Sequence, residues 1–123
     1  MRSQRQHRGA AAHHSGVAAE HIVAHDYQRR GFAEARRRWR GAGGEIDLIL
    51  HKDGRVIFVE VKSAPTHALA AERLSAQQLR RIEASGASYL AALPAGSLTE
   101  CRIDLALVDA MGAVAIIENA SQF

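Results

Sequence analysis

Asp47, Glu60 and Lys62 are the residues of this chain best placed, by type and spacing, to do chemistry. They lie in GGEIDLILHKDGRVIFVEVKS, residues 43–63, where two apolar runs flank Asp53-Gly54. Asp-Gly in that setting is a strong signal for a two-residue hairpin, because both central residues need φ > 0. With that loop and no bulge, Lys52 faces Arg55, Leu48 faces Val59, Asp47 faces Glu60 and Glu45 faces Lys62. Alternation then sends Glu45, Asp47, Glu60 and Lys62 to one side of the ribbon. Ile46, Leu48, Leu50, Ile57, Val59 and Val61 go to the other, as one apolar face for the core. Opposed residues sit about 4.5–5.5 Å apart at Cβ, and like charges at that distance destabilise a sheet. If the pair is buried, one carboxyl has a raised pKa. A divalent cation removes the conflict, and Mg²⁺ is typically held by one or two carboxylates with waters and substrate phosphate. A lysine beside them orients or helps deprotonate a water, or balances charge on a phosphate. These are the parts needed for metal-assisted phosphodiester hydrolysis. The same pattern also suits a solvated strand face, with Glu45–Lys62 a surface salt bridge worth under about 1 kcal/mol.

The elements around the hairpin must hold those groups in place. Ser15 is a suitable N-cap for a helix over 16–30, with Gly31 as its stop. Glu20 lies beside the stripe that carries Val23 and Tyr27. Residues 32–40, FAEARRRWR, read as an edge strand or a strand and loop, and residues 45–51 and 55–62 as the two hairpin strands. Residues 63–74 read as a loop. Ser75 caps a helix over 76–92, whose apolar side carries Leu79, Ile82, Tyr89 and Leu90, and Pro94 and Gly96 end it. Residues 101–109 and 113–118 are two further strands joined through Gly112. Helix, three strands, helix, two strands is the order of an α/β fold with helices around a mixed sheet.

Composition narrows the function classes. The 123 residues suit one domain. The net charge of +3 rests on 14 Arg and only two Lys, a mild excess that permits a polyanionic partner without requiring one. Lys52 and Lys62 are those two, and an ammonium, unlike a guanidinium, has a pKa that its surroundings can shift. Cys101 is alone, so no intramolecular disulfide or cysteine-rich zinc site is expected, and the reading is of a reducing, cytoplasmic setting. No apolar run approaches the roughly 20 residues that span a membrane, so no membrane partner is expected. Residues 1–14, Arg-rich and without acids, read as a disordered basic tail, leaving 15–123 as the domain.

GEIDLI at 44–49 followed by IFVEVKS at 57–63 resembles the PD-(D/E)XK nuclease motif. More closely, the chain resembles the YraN-like family of small endonuclease-like proteins, which are related in fold to archaeal Holliday-junction resolvases. The likeness extends over residues 15–109, through SGVAAEHIVAHDYQRRGF, the RRWR run, QQLRRIEASGASYL and CRIDLALV. It implies an αβββαβ restriction-endonuclease-like core and a Mg²⁺- or Mn²⁺-dependent endonuclease acting on DNA, branched or structured DNA included. Resolvase relatives act as dimers, so it also implies a homodimer. By motif position Asp47 and Glu60 are the metal ligands, Lys62 is the catalytic lysine, and Glu20 completes the metal shell directly or through water. Ile46 stands where the motif's proline would be. Gln77 and Gln78 replace the basic residue that usually opens the second helix, which removes a phosphate contact. Asp104 matches an acid in the family's late strand and is expected to be structural, bonded to Arg102 or to backbone.

Arg29, Arg30, Arg36, Arg37, Arg38 and Arg40 make the densest basic region. Arg36, Arg37, Arg38 and Arg40 with Trp39 are the residues expected to bind nucleic acid, by tracking a phosphate backbone and stacking a base. The alternative function is accordingly a non-catalytic nucleic-acid-binding module on a nuclease-like fold. His21 and His25 are one helical turn apart, but no third ligand has suitable spacing.

Overall fold

Asp53 and Gly54 take φ of +52° and +78°, so the turn forms with both central residues left-handed, as their types allow. In the computed structural model, which describes residues 2–120 and the side chains of residues 16–120, this turn joins β2 (Gly44–Lys52) to β3 (Arg55–Ser63). The register is the expected one: Lys52 opposes Arg55, Leu50 opposes Ile57 and Leu48 opposes Val59. β1 (Ala33–Gly41) pairs antiparallel with β2 at the sheet edge. β4 (Cys101–Val108) lies parallel to β3, and β5 (Val114–Ile117) closes the order β1-β2-β3-β4-β5. A parallel pair needs a crossover. Here it consists of α2 (His67–Ala71), α3 (Ala76–Ala91) and a 3₁₀ turn at Gly96–Leu98. With α1 (Arg2–Arg29) ahead of β1, the chain follows the αβββαβ order of a mixed sheet flanked by helices.

α1 stops where expected, at Gly31, with φ of +91°. The expected tail, residues 1–14, and the expected cap, Ser15, fall where side chains lie outside the described residues. Ser75 does cap α3, its side chain accepting from the Gln78 N–H at 3.0 Å. The segment 63–74, expected as loop, holds the short α2 instead. Thr66 caps it by accepting from the Leu69 N–H, and Ala70 is fully buried against Leu105 and Leu107. A single helical turn has too few residues to show a periodic stripe, so the cap was its only signal.

Both sheet faces are covered. Ala19, Val23, Ala24 and Tyr27 of α1 pack on Leu48, Leu50, Ile57, Val59, Ala106 and Val108. On the opposite face Ile82 and Leu90 of α3 pack on Ile49, Val56, Phe58 and Ile103. The face that carries the acids is therefore not a bare surface behind a one-sided core, as the hairpin alone suggested. Ile49, Val56 and Phe58 on it are buried, and α3 lies over them. Among the described residues no helix is long and apolar enough to cross a membrane.

α3 is locked to the β1–β2 turn by hydroxyls. The fully buried Ser85 Oγ accepts from the Gly43 N–H at 2.9 Å and donates to the Gly44 carbonyl at 2.8 Å, while Ser88 Oγ accepts from the Ala42 N–H. The approach is close enough that a Cβ on Gly43 would lie 2.2 Å from the Arg81 carbonyl oxygen. Backbone cannot yield as a flexible side chain can. Gly43→Ala is therefore expected to cost about 1–3 kcal/mol, measured by chemical denaturation, while Ser88→Ala, which loses its hydrogen bonds with the Ala42 N–H and the Ser85 carbonyl but meets no steric conflict, costs less.

Candidate active site

The ladder between β2 and β3 has Leu48–Val59 as its last pair. Hydrogen-bonded pairs alternate along an antiparallel ribbon, so Ile46–Val61 would come next. Instead the Val61 N–H donates to the Asp47 carboxylate, at 2.7 Å from Oδ2. A side chain thus takes the place of a backbone carbonyl, and the strands part at the point where chemistry was expected. β1 is disturbed at the same level. Its pairing passes from Arg37–Leu48 to Trp39–Ile46, and the residue between, Arg38, has a left-handed φ of +52°. Ile46 consequently joins Ile49, Val56 and Phe58 under α3, not Leu48 and Leu50 under α1 as plain alternation predicted. An irregularity at Arg38 and Asp47 shifts the alternation by one residue beyond them.

Asp47 and Glu60 are brought together despite the lost ladder pair. Glu60 is only 5 % exposed. Burial first, then a hydrogen bond to Asp47 and the charge of Asp47, push its carboxyl up to about 9, with Lys62 opposing. A shift in this direction favours the protonated form of the Glu60 carboxyl beside Asp47. Lys62 Nζ lies 3.6 Å from Glu60 Oε2, so the lysine pairs with Glu60 and not with the exposed Glu45. The amide of Gln78, in the first turn of α3, donates to that same oxygen. The sequence singled out Gln78 only as a missing basic residue. Its position three after the capping serine, at the end of α3 that meets β3, was the available signal.

Glu20 is buried on α1, but its described partner is Arg38, whose Nε donates to Oε2 at 3.0 Å. Among the described residues no group of three or more His, Cys, Asp or Glu is close enough together to hold a metal ion. The donor set that does fit a divalent cation is Asp47 with Glu60. These two carboxyls come together in a half-buried spot, where burial first and Asp47 second raise the Glu60 carboxyl.

The basic run divides. Arg36 is exposed near Tyr89 on the α3 side. Arg37 binds Glu34 of its own strand at 2.6 Å and reaches α1, where it lies 2.9 Å from His21 Nδ1. Arg38 holds Glu20, and Arg40 is exposed. Trp39 is half-buried, its ring edge-to-face with Tyr89 at 5.3 Å. Asp104 is fully buried and structural in its contacts: Tyr27 Oη donates to it at 2.8 Å, Arg102 binds it through two nitrogens, and the Asn119 N–H donates at 3.1 Å. Lys52 has a defined place too, donating to the Arg30 carbonyl and lying over the Phe32 ring at 4.7 Å.

A family model described as Uncharacterised protein family UPF0102 matches residues 19–108, which span Glu20, Asp47, Glu60 and Lys62. A UPF0102 protein of Cereibacter sphaeroides strain KD131 is 52% identical over 112 residues, covering 91% of this chain and 96% of the relative. One from Roseobacter denitrificans is 50% identical over 116 residues, 94% of this chain and 90% of its own. One from Dinoroseobacter shibae is 42% identical over 115 residues, 94% and 86%.

The raised Glu60 carboxyl makes stability depend on pH. The folded state binds a proton that the unfolded state releases near pH 4.5, so this contribution is complete below that value and is lost as pH rises toward 9. With a chelator present, Tm is expected to fall between pH 5 and pH 8.5. Glu60→Gln, which stays neutral, is expected to raise Tm at pH 8.5 by roughly 5 °C or more and to change it little at pH 5. A wild-type profile that is flat across this range would show that Glu60 is ionised throughout.

Proposed function

We propose, for a chain that belongs to Uncharacterised protein family UPF0102, that it is a metal-dependent endonuclease hydrolysing phosphodiester bonds in DNA, branched or structured DNA included. The carrying observation is the Asp47–Glu60 carboxyl pair with Lys62 Nζ 3.6 Å from Glu60. Asp47 and Glu60 would hold Mg²⁺ or Mn²⁺ in place of the proton they share. When bound, the cation supplies positive charge to the phosphoryl oxygens and acidifies a coordinated water.

The remaining steps belong to the chain's own residues. The Val61 N–H fixes the Asp47 carboxylate, so its orientation costs nothing at the moment of reaction. Glu60 would meet the cation as a carboxylate, its proton passing to solvent, and the Gln78 amide that donates to it steadies that side chain. Lys62 orients the attacking water and offsets charge that develops on the phosphorane oxygens. Water adds to phosphorus in line as the opposite P–O bond breaks. Exposed Arg36 and Arg40 bear on the phosphates of the bound strand.

The test is cleavage of linear, flapped and branched DNA by purified protein with Mg²⁺ or Mn²⁺. Asp47→Ala and Lys62→Ala are each expected to lower the rate by at least about 10²-fold. Variants that cut as fast as wild type would place the activity elsewhere. The second reading is a module that holds nucleic acid without cutting it, favoured by the pairing of Glu20 with Arg38 in place of a third carboxylate beside Asp47 and Glu60. It is recognised by salt-dependent DNA binding, indifferent to metal, with no cleavage of any substrate in the panel.

A further inference from the structure

Glu20 and Arg38 form a pair that the cleavage reading leaves unused. Glu20 is 8 % exposed, and among the described residues its side chain hydrogen-bonds to Arg38 alone. Arg38 lies between Arg37, paired with Leu48, and Trp39, paired with Ile46, and so at the level of Asp47, with a φ of +52° that side chains rarely adopt in a strand. Its guanidinium also feels the charges of Glu45 and Asp47, after the stronger effect of Glu20. Its own side chain is about half exposed, 49 %, so it can swing into solvent without opening the core. The strained backbone, the buried acid and the half-exposed cation together describe a charge held in place by the acids around it. Relaxing the strain would favour its release.

We propose that Arg38 is a resident counter-ion that a divalent cation displaces, so that Glu20 joins Asp47 and Glu60 only when metal binds and the released guanidinium then faces substrate phosphate. This rests on the reading that Asp47 and Glu60 take a divalent cation. A guanidinium cannot be neutralised by losing a proton, so it must leave bodily. A cation of twice the charge that prefers oxygen ligands can replace it at a buried carboxylate. Competition of this kind lowers apparent metal affinity until the competitor is removed. It also couples the metal site to DNA, because the displaced Arg38 is set free beside the exposed Arg36 and Arg40 of the same strand.

The test is calorimetric Mn²⁺ titration of the full chain at low salt, for wild type, Arg38→Ala and Arg38→Gly, each with and without Glu20→Gln. Gly suits the left-handed φ, so the second substitution removes the charge and also relieves the backbone. Both Arg38 variants are expected to bind Mn²⁺ about tenfold more tightly than wild type, and this gain is expected to vanish in the Glu20→Gln background. The chain's single tryptophan, Trp39, adjoins the residue that moves, so its emission is expected to change as wild type saturates. Arg38 variants that bind Mn²⁺ no more tightly than wild type overturn the displacement while leaving the cation site standing. So does a gain that persists in Glu20→Gln, or a Trp39 emission that ignores saturation. If no folded variant binds Mn²⁺ at all, as judged by circular dichroism, the displacement and the cation reading fall together.

Discussion

Two neighbouring strands either exchange backbone hydrogen bonds or part, and β2 and β3 part at Asp47. The carboxylate that accepts the Val61 N–H stands where a backbone carbonyl would otherwise be. That substitution keeps a buried donor satisfied, which a simple gap in the sheet would not. It also turns Asp47 toward β3, where its nearness, after burial, raises the Glu60 carboxyl. The apolar part of the hairpin, from Leu48–Val59 to Lys52–Arg55, is the rigid base against which this opening is held.

Around that opening the two helices act differently. α3 supplies a neutral donor, Gln78, to the proton-bearing Glu60, and is tied down by Ser85 and Ser88 at the β1–β2 turn. α1 supplies an acid, Glu20, and that acid is held by Arg38 from the sheet's own edge. The acids are thus offset in two ways, by a raised Glu60 carboxyl that favours its protonated form on one side and by a guanidinium on the other. Both are what a cluster of carboxylates needs when taken out of water. A divalent cation at Asp47 and Glu60 would compete with the first, and in the displacement scheme with the second.

On the neighbouring strand β4, opposite Val59, a second buried acid is handled differently. Asp104 is as buried as any residue of the core, yet Tyr27, Arg102 and the Asn119 N–H leave it fully partnered. Burial and the nearby Asp104 carboxylate raise the Tyr27 hydroxyl far above its ordinary pKa, so it remains a donor. An acid satisfied by three fixed donors has little left to offer a ligand. Glu60 instead meets another acid.

Much of this was legible in the residue order. The Asp53-Gly54 turn needs only local φ preferences, and it set the register through Leu48–Val59. Ser75 and Gly31 bounded helices for equally local reasons. The register placed Asp47, Glu60 and Lys62 near one another, although the ladder itself ends at Leu48–Val59, and the contacts of Asp104 followed from its neighbour Arg102. What the sequence could not show depended on neighbours distant along the chain. The alternation that carried Ile46 to the α1 side assumed an unbroken ladder, and a left-handed Arg38 at the level of Asp47, whose side chain caps the Val61 N–H, breaks it. Arg37 and Arg38 turned to α1 and Trp39 packed on Tyr89 because each found a partner on another element, while Lys62 paired with Glu60 of its own strand and not with Glu45 across the ribbon. Local steric preference, which acts within a few residues, determined the hairpin and its acids. Only tertiary packing, which decides which charges lose their water together, determined that Glu60 would keep a proton and Glu20 an arginine.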